Sequence, residues 1–256
     1  MIKNHSERKA LQHAGGITQL VLTELGQVLT PGVSTITLES LANRLLSMHR
    51  STAPFKSYQS FNHAICVSIN DEIVNGPPSR ERWIQAGDLV SIATAAEHRG
   101  IHAKAARTFY VGNPATEPSV TENISRLLQG TDAVIAAAQT RASQVKTLNE
   151  LLEIVPETAS SYGLTVIRDM GGSGIGKKLH QSPPTPNSPA DLTETVPLVS
   201  GLCFTLMPMF SLGENADYLE HADHWTLLTA DGSLSAHVAD TLLMSEDGLL
   251  NITRKP

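Results

Sequence analysis

An α+β fold, in which two halves of like topology each pack one sheet layer under one helix layer, is predicted for this 256-residue chain by three observations. Two amphipathic helical stripes come first and short β-rich runs follow. The same order restarts past the middle of the chain. The β-rich runs are separated by Gly, Pro and Asn turn-formers and not by helix-length crossovers.

The first stripe is Leu11, Ala14, Ile17, Val21, Leu25 and Val28, at three- and four-residue steps, ended by Pro31-Gly32. The second, Leu38, Leu41, Leu45 and Met48, follows Thr37, whose hydroxyl suits a helix cap. The runs HAICVSIN, DLVSIATAA and RTFYVG then read as strands. After Asn113-Pro114, the pairs Ser119/Glu122 and Thr147/Glu150 are capping-box patterns opening two further helices. Pro156 should kink or shorten the second of these, and Gly163 should end it before the strand LTVIR. LCFTLMPMF, HWTLLTA, LSAHVADTLLMS and GLLNIT complete the sheet, and residues 181–197, rich in Pro, Ser, Thr and Asn, read as an exposed loop.

Composition narrows the class. A chain of this length with 41% hydrophobic residues supports one substantial core, so residues 1–256 are expected to form a single domain. A net charge of −6 with scattered Lys and Arg argues against a nucleic-acid or membrane partner. No apolar run reaches the roughly 20 residues of a spanning helix, and the first ten residues lack a hydrophobic signal core, which predicts a cytoplasmic protein. Cys66 and Cys203 lie in apolar runs and read as separate buried thiols.

Local wording then becomes specific: TPGVST at residues 30–35, CVSIN at 66–70, NGPP at 75–78, AGDLVSI at 86–92, FYVG at 109–112, GIGxxxH at 174–180, FTLMPM at 204–209 and HWTLLTADGSLSAH at 224–237. In this order and spacing the chain resembles the type I methionine aminopeptidases, which implies the pita-bread fold: two pseudo-symmetric halves with a curved antiparallel sheet covered by helices. In that family five side chains hold two divalent metals. Carried over singly, their positions fall on Ala93, Lys104, Ser173, Met207 and Ala239. Alanine donates nothing, a thioether suits copper(I), and an ammonium about 4 Å from a divalent ion meets repulsion on the order of several kcal/mol. The resemblance with these substitutions implies no metal and no cofactor.

The positions matching the family's side-chain pocket stay largely apolar or aromatic: Tyr58, Phe61, Cys66, Leu179 and Trp225, with Asn75 where the family has a histidine. They imply a retained ligand cleft, although each also suits plain core. Strand alternation puts His102 with Lys104, and His237 with Ala239, on one face, leaving Asp240 facing away. With His180, which matches a substrate-contacting histidine of the family, these give His102, Lys104, His180 and His237 as candidate acid–base residues. The opposing reading is chance grouping among ten histidines, with Lys104 reaching solvent. His221-Ala222-Asp223-His224 reads as an exposed hairpin, and Gly172-Ser173-Gly174 lacks the strand–elbow–helix setting of a nucleophilic serine.

The expectation is therefore a catalytically degenerate, metal-free aminopeptidase-like protein. It would bind a peptide end or a small amphipathic ligand, anionic to suit Lys104, or present its surface to a protein partner. The alternative is a repurposed metal-independent enzyme of a biosynthetic pathway, performing cyclisation, elimination or hydrolysis with the His/Lys cluster.

Overall fold

The computed structural model describes residues 1–2, 4–112 and 118–254, the side chains of 118–121 excepted. The expected Asn113-Pro114 turn and the Ser119 cap lie outside what it describes.

Helix α1, His5–Val28, is capped by Asn4, whose Oδ1 accepts from the Glu7 N–H at 2.9 Å. It buries the stripe Leu11, Ala14, Ile17, Val21 and Leu25. At Gly15 a Cβ would stand 2.3 Å from the Ile252 carbonyl oxygen, so glycine lets the C-terminal segment cross the helix. Helix α2, Thr35–Met48, starts earlier than expected: Ser34, extended at φ −81° and ψ 148°, is the boundary residue, and Thr37 lies inside the helix, its hydroxyl 2.8 Å from that of Ser34. Buried Glu39 ties α2 to the sheet by accepting from the Ala64 N–H at 2.9 and 3.0 Å and the Ile65 N–H at 3.2 Å.

Strands β1 (Ile65–Ile69), β2 (Glu72–Val74), β3 (Asp88–His98) and β4 (Ile101–Val111) follow. β3 and β4 form a hairpin whose two-residue turn, Arg99-Gly100, has both φ values positive at 51° and 76°. In its register Ala93 faces Ala106, Ala95 faces Lys104 and Glu97 faces His102, so these residues share one face. The other face carries Val90, Ile92, Ala96 and Ala105 into the core beneath α1 and α2.

In the second half, α3 (Pro118–Arg141), α4 (Leu148–Leu152) and α5 (Ile154–Ser161) precede strands β5 (Thr165–Val166), β6 (Gly171–Gly174), β7 (Gln181–Pro186), β8 (Cys203–Leu206), β9 (Met209–Ser211), β10 (Tyr218–Glu220), β11 (Leu227–Thr229), β12 (Ser235–His237), β13 (Asp240–Ser245) and β14 (Gly248–Asn251). Thr147 and Glu150 form the expected capping box. The helix divides at Glu153 because Pro156 has no N–H to give the Leu152 carbonyl, and it ends at Gly163 with φ 59°. Pro208 likewise divides the run LCFTLMPMF into β8 and β9.

Residues 181–197 depart from the expected loop. Their first six form β7, at the end of a five-stranded sheet of order β14-β13-β8-β6-β7. Pro183, Pro184 and Pro186 cannot donate to a neighbouring strand, which fits an edge position, and buried Thr185 fixes the strand by donating to the Thr205 carbonyl at 2.6 Å.

All strand pairs among the described residues are antiparallel, and the halves join where Ala106 and Ala239 exchange hydrogen bonds of 3.0 and 3.1 Å. Neighbouring Asp240 turns to the opposite side. It is fully buried and accepts from Arg107 Nη2 at 2.7 Å, Arg254 Nε at 2.6 Å and Thr253 Oγ1 at 2.7 Å. The fold is the pita-bread arrangement expected. No helix among the described residues is long and apolar enough to cross a membrane.

Candidate functional site

At the centre of the sheet, an apolar cluster from both halves opens into a cleft lined by Phe55, Tyr58, Phe61, Cys66, Asn75, Lys104, His180 and Trp225. The cavity is small, about 80 Å³, room for a single side chain and below the roughly 300–1,000 Å³ usual for drug-sized ligands. A second hollow, between α1 and β4, is bordered by Arg107 and Arg254, but both guanidinium groups already serve Asp240.

Short-range folding explains the aromatic wall. Pro54 opens a 3-10 turn over Pro54–Ser57 that directs Phe55 inward, and the chain then passes Tyr58 at the rim and Phe61 in the interior. The Phe61 ring packs edge-on to Phe55 at 6.5 Å and to Trp225 at 4.9 Å, while Tyr58 packs edge-on to His180 at 4.7 Å. Trp225 is held by the exposed hairpin turn that precedes it, where the Asp223 carboxylate accepts from the Trp225 and Thr226 backbones, each at 2.8 Å. His221 and His224 stay at the surface of that hairpin, with 53% and 84% of their side chains exposed.

Lys104 supplies the one amine of the cleft lining. It is 9% exposed, its Nζ lies 5.9 Å from the Phe55 ring centre, and among the described residues no carboxylate comes within ion-pair distance. Burial lowers its pKa, opposed only by the neighbouring Cys66 thiol, so the neutral amine is favoured more than in water. Burial pushes Cys66 up to about 12, and the thiol stays protonated. Both cysteines are free and buried, as expected.

The candidate histidines do not form one constellation. His180 reaches the cleft mouth, where desolvation of its inner edge, then Lys104 and His102, hold it below the ordinary imidazole value. His102 shares the face of Lys104, but its Nδ1 sits 2.9 Å from the Gly176 carbonyl, at the edge of the sheet and outside the cleft lining. His237 is fully buried behind the cleft beside Met209, its pKa brought to about 4 by burial and then by Lys104. Neither of its ring nitrogens has a hydrogen-bond partner of normal geometry. Leu179 is buried in the adjoining core and not in the lining.

Phe55 is the lining residue that the sequence reading missed. The available signal was the spacing of three aromatics, Phe55, Tyr58 and Phe61, after a proline.

Of the remaining positions of interest, Ala93, Met207 and Ala239 belong to the apolar cluster behind the cleft. Ala93 is 2% exposed and pairs with Cys66, Ala239 is 0% exposed, and Met207 is 6% exposed. Ser173 Oγ donates to its neighbour Gly174 at 3.1 Å. Among the described residues, no three His, Cys, Asp or Glu side chains gather closely enough to hold a metal ion.

Comparison with known proteins adds the family context. The signature of metallopeptidase family M24 matches residues 9–246. A methionine aminopeptidase of Clostridium acetobutylicum is 32% identical over 248 residues, 97% of this chain and 96% of that one. The crystal structure of a methionine aminopeptidase from Thermotoga maritima superposes with a TM-score of 0.90 at 32% identity, covering 100% of this chain and 99% of the other. That of Rickettsia prowazekii gives 0.89 at 27% identity, covering 99% of both chains.

These relatives correct the expectation of a catalytically degenerate binding protein, and with it that of an enzyme repurposed for a biosynthetic pathway. The similarity runs end to end through chains named for aminopeptidase activity.

Proposed function

This chain belongs to metallopeptidase family M24, and from that premise we propose that it is an aminopeptidase of the methionine aminopeptidase type, releasing the first residue of a peptide whose leading side chain is apolar. One observation carries the reading: an aromatic cleft of side-chain size ends at an unpaired lysine, with a histidine at its mouth. Phe55, Phe61 and Trp225 offer ring edges and faces to a thioether or an aliphatic chain. Asn75 at the rim offers an amide to the peptide backbone.

Lys104 and His180 are the groups we assign to proton movement at the scissile bond. As the free amine that its burial favours, Lys104 takes a proton from a water that attacks the carbonyl following the first residue. The ammonium so formed returns the proton to the departing nitrogen as the C–N bond breaks. His180, kept neutral, donates an N–H towards the carbonyl oxygen. His102 and His237 enter this reading as flanking groups, the first orienting the strand edge and the second lying behind Lys104.

We also read Ala93, Lys104, Ser173, Met207 and Ala239 as lacking the metal ligands of the family. Two alanines, a thioether, a hydroxyl occupied by its neighbour and an amine do not fit a pair of divalent ions, which need several anionic oxygens or imidazoles. The same reading takes residues 1–256 as one unit working in the cytosol on a peptide ligand, with no nucleic-acid or membrane partner for a chain of net charge −6.

The test is a series of tripeptides differing only in the first residue, followed by mass spectrometry of the released amino acid. Release of Met, Leu or Phe with Asp and Lys left in place supports the proposal. An absence of release from every peptide would remove it.

A further inference from the structure

We propose that Lys104 is an imine-forming lysine, and that the cleft accepts a ligand carrying an aldehyde or ketone beside an apolar group. The inference does not rest on peptide hydrolysis; it rests on where this one amine sits. An amine is a nucleophile only through its lone pair, so a reactive lysine must be unprotonated, free of an ion-pair partner and reachable. Lys104 has no ion-pair partner and lines the cleft, and its burial favours the unprotonated form. It is nine-tenths buried among Phe55, Cys66 and the small residues Ala93, Ala95 and Ala106, where charge is poorly solvated. No carboxylate among the described residues holds it as an ammonium, whereas Lys177 at the surface pairs with Glu7 at 2.9 Å. It also lines the cleft, so a ligand entering past Tyr58, His180 and Trp225 meets it at the inner end. The lowered pKa of the amine agrees with this geometry.

The step balances without a co-reactant. The Nζ lone pair attacks the carbonyl carbon and forms the C–N bond, and the carbonyl oxygen takes up a proton from the nitrogen to give a carbinolamine. The C–O bond then breaks, oxygen leaves as water with the second nitrogen proton, and the C=N bond remains. His180 at the mouth is placed to relay those protons between the carbinolamine and solvent. The aromatic wall selects the ligand: an alkyl, thioether or aryl group fills the space between Phe61 and Trp225 while its carbonyl points inward.

The probe is methional, a small thioether aldehyde, incubated with the full-length protein near neutral pH together with cyanoborohydride, which reduces an imine to a stable secondary amine. Peptide mapping is expected to find Lys104 modified first, at least about tenfold ahead of Lys9, Lys56, Lys146, Lys177 and Lys178, a margin equal to about 1.4 kcal/mol. The adduct at Lys104 should vanish in Lys104→Arg and Lys104→Met proteins that retain the native circular dichroism spectrum, and excess 3-phenylpropanal should compete for it. Modification spread over the surface lysines with Lys104 spared in the wild-type chain would overturn the proposal, and so would a Lys104 adduct that forms no faster than those at the surface. The wild-type mapping alone decides the matter if both variants fail to fold.

Discussion

Replacing His237 with leucine should make the protein more stable at neutral pH and flatten its response to acid. His237 is fully buried, neither ring nitrogen has a hydrogen-bond partner of normal geometry, and burial with Lys104 nearby brings its pKa from 6.5 to about 4. In the unfolded chain the imidazole binds a proton at its ordinary pKa, whereas in the folded chain it does so only near 4. Between these values the unfolded state holds more protons. The stabilisation from a neutral His237 is therefore complete above the unfolded pKa and is lost as pH falls towards the folded one. A shift of that size, at about 1.4 kcal/mol per unit, makes the loss about 3 kcal/mol across the window. Leucine has no proton to bind and no polar atoms to bury, so it also recovers about 1–3 kcal/mol of desolvation cost at neutral pH. The assay is urea unfolding of both proteins at closely spaced pH values between roughly 4 and 7, reading the difference in unfolding free energy so that other titrating groups cancel. A leucine variant whose stability falls with acid as steeply as the wild type would refute the reasoning.

Two further outcomes test other parts of the molecule. Trp225→Ala should raise KM for Met-leading peptides about tenfold, a loss near 1.4 kcal/mol of binding, with kcat little changed, because the ring contacts the side chain and not the reacting atoms; steady-state kinetics reversing that split would contradict the placement of the first residue. Asp240→Ala removes the acceptor that holds Arg107 and Arg254 and should destabilise the fold by about 3 kcal/mol in chemical denaturation, since two guanidinium groups lose their buried partner; a change under about 1 kcal/mol would show that solvent replaces the contact.

Much of the fold was legible because each half states its pattern locally. The α1 stripe, the Thr147 capping box and Gly163 are signals that act within one turn, and nothing distant overrides them. The exceptions have tertiary causes. Residues 181–186 read as loop because three prolines spoil a strand pattern, yet a sheet edge asks for donors on one side only. Helix α2 starts before Thr37 because Ser34 is fixed by a bridge to Trp83, which sequence spacing does not reveal.

At the site, Lys104 on β4 lines the cleft and Asp240, next to Ala239, turns away from it, the faces that strand alternation gives. Alternation gives a face but no depth. It could not tell that His102 ends at the Gly176 carbonyl, that His237 lies sealed behind the cleft, or that Leu179 packs beside it. Those distinctions come from how the two halves meet at Ala106 and Ala239.

The most direct measurement is methionine release from a Met-Ala-Ser peptide after exhaustive chelation, with the wild type and Lys104→Met run side by side. Turnover that persists in chelator and falls by about 10²-fold or more in the variant is the result predicted for a lysine moving the proton. Turnover that disappears on chelation and returns with added cobalt or manganese, equally in both proteins, would contradict it.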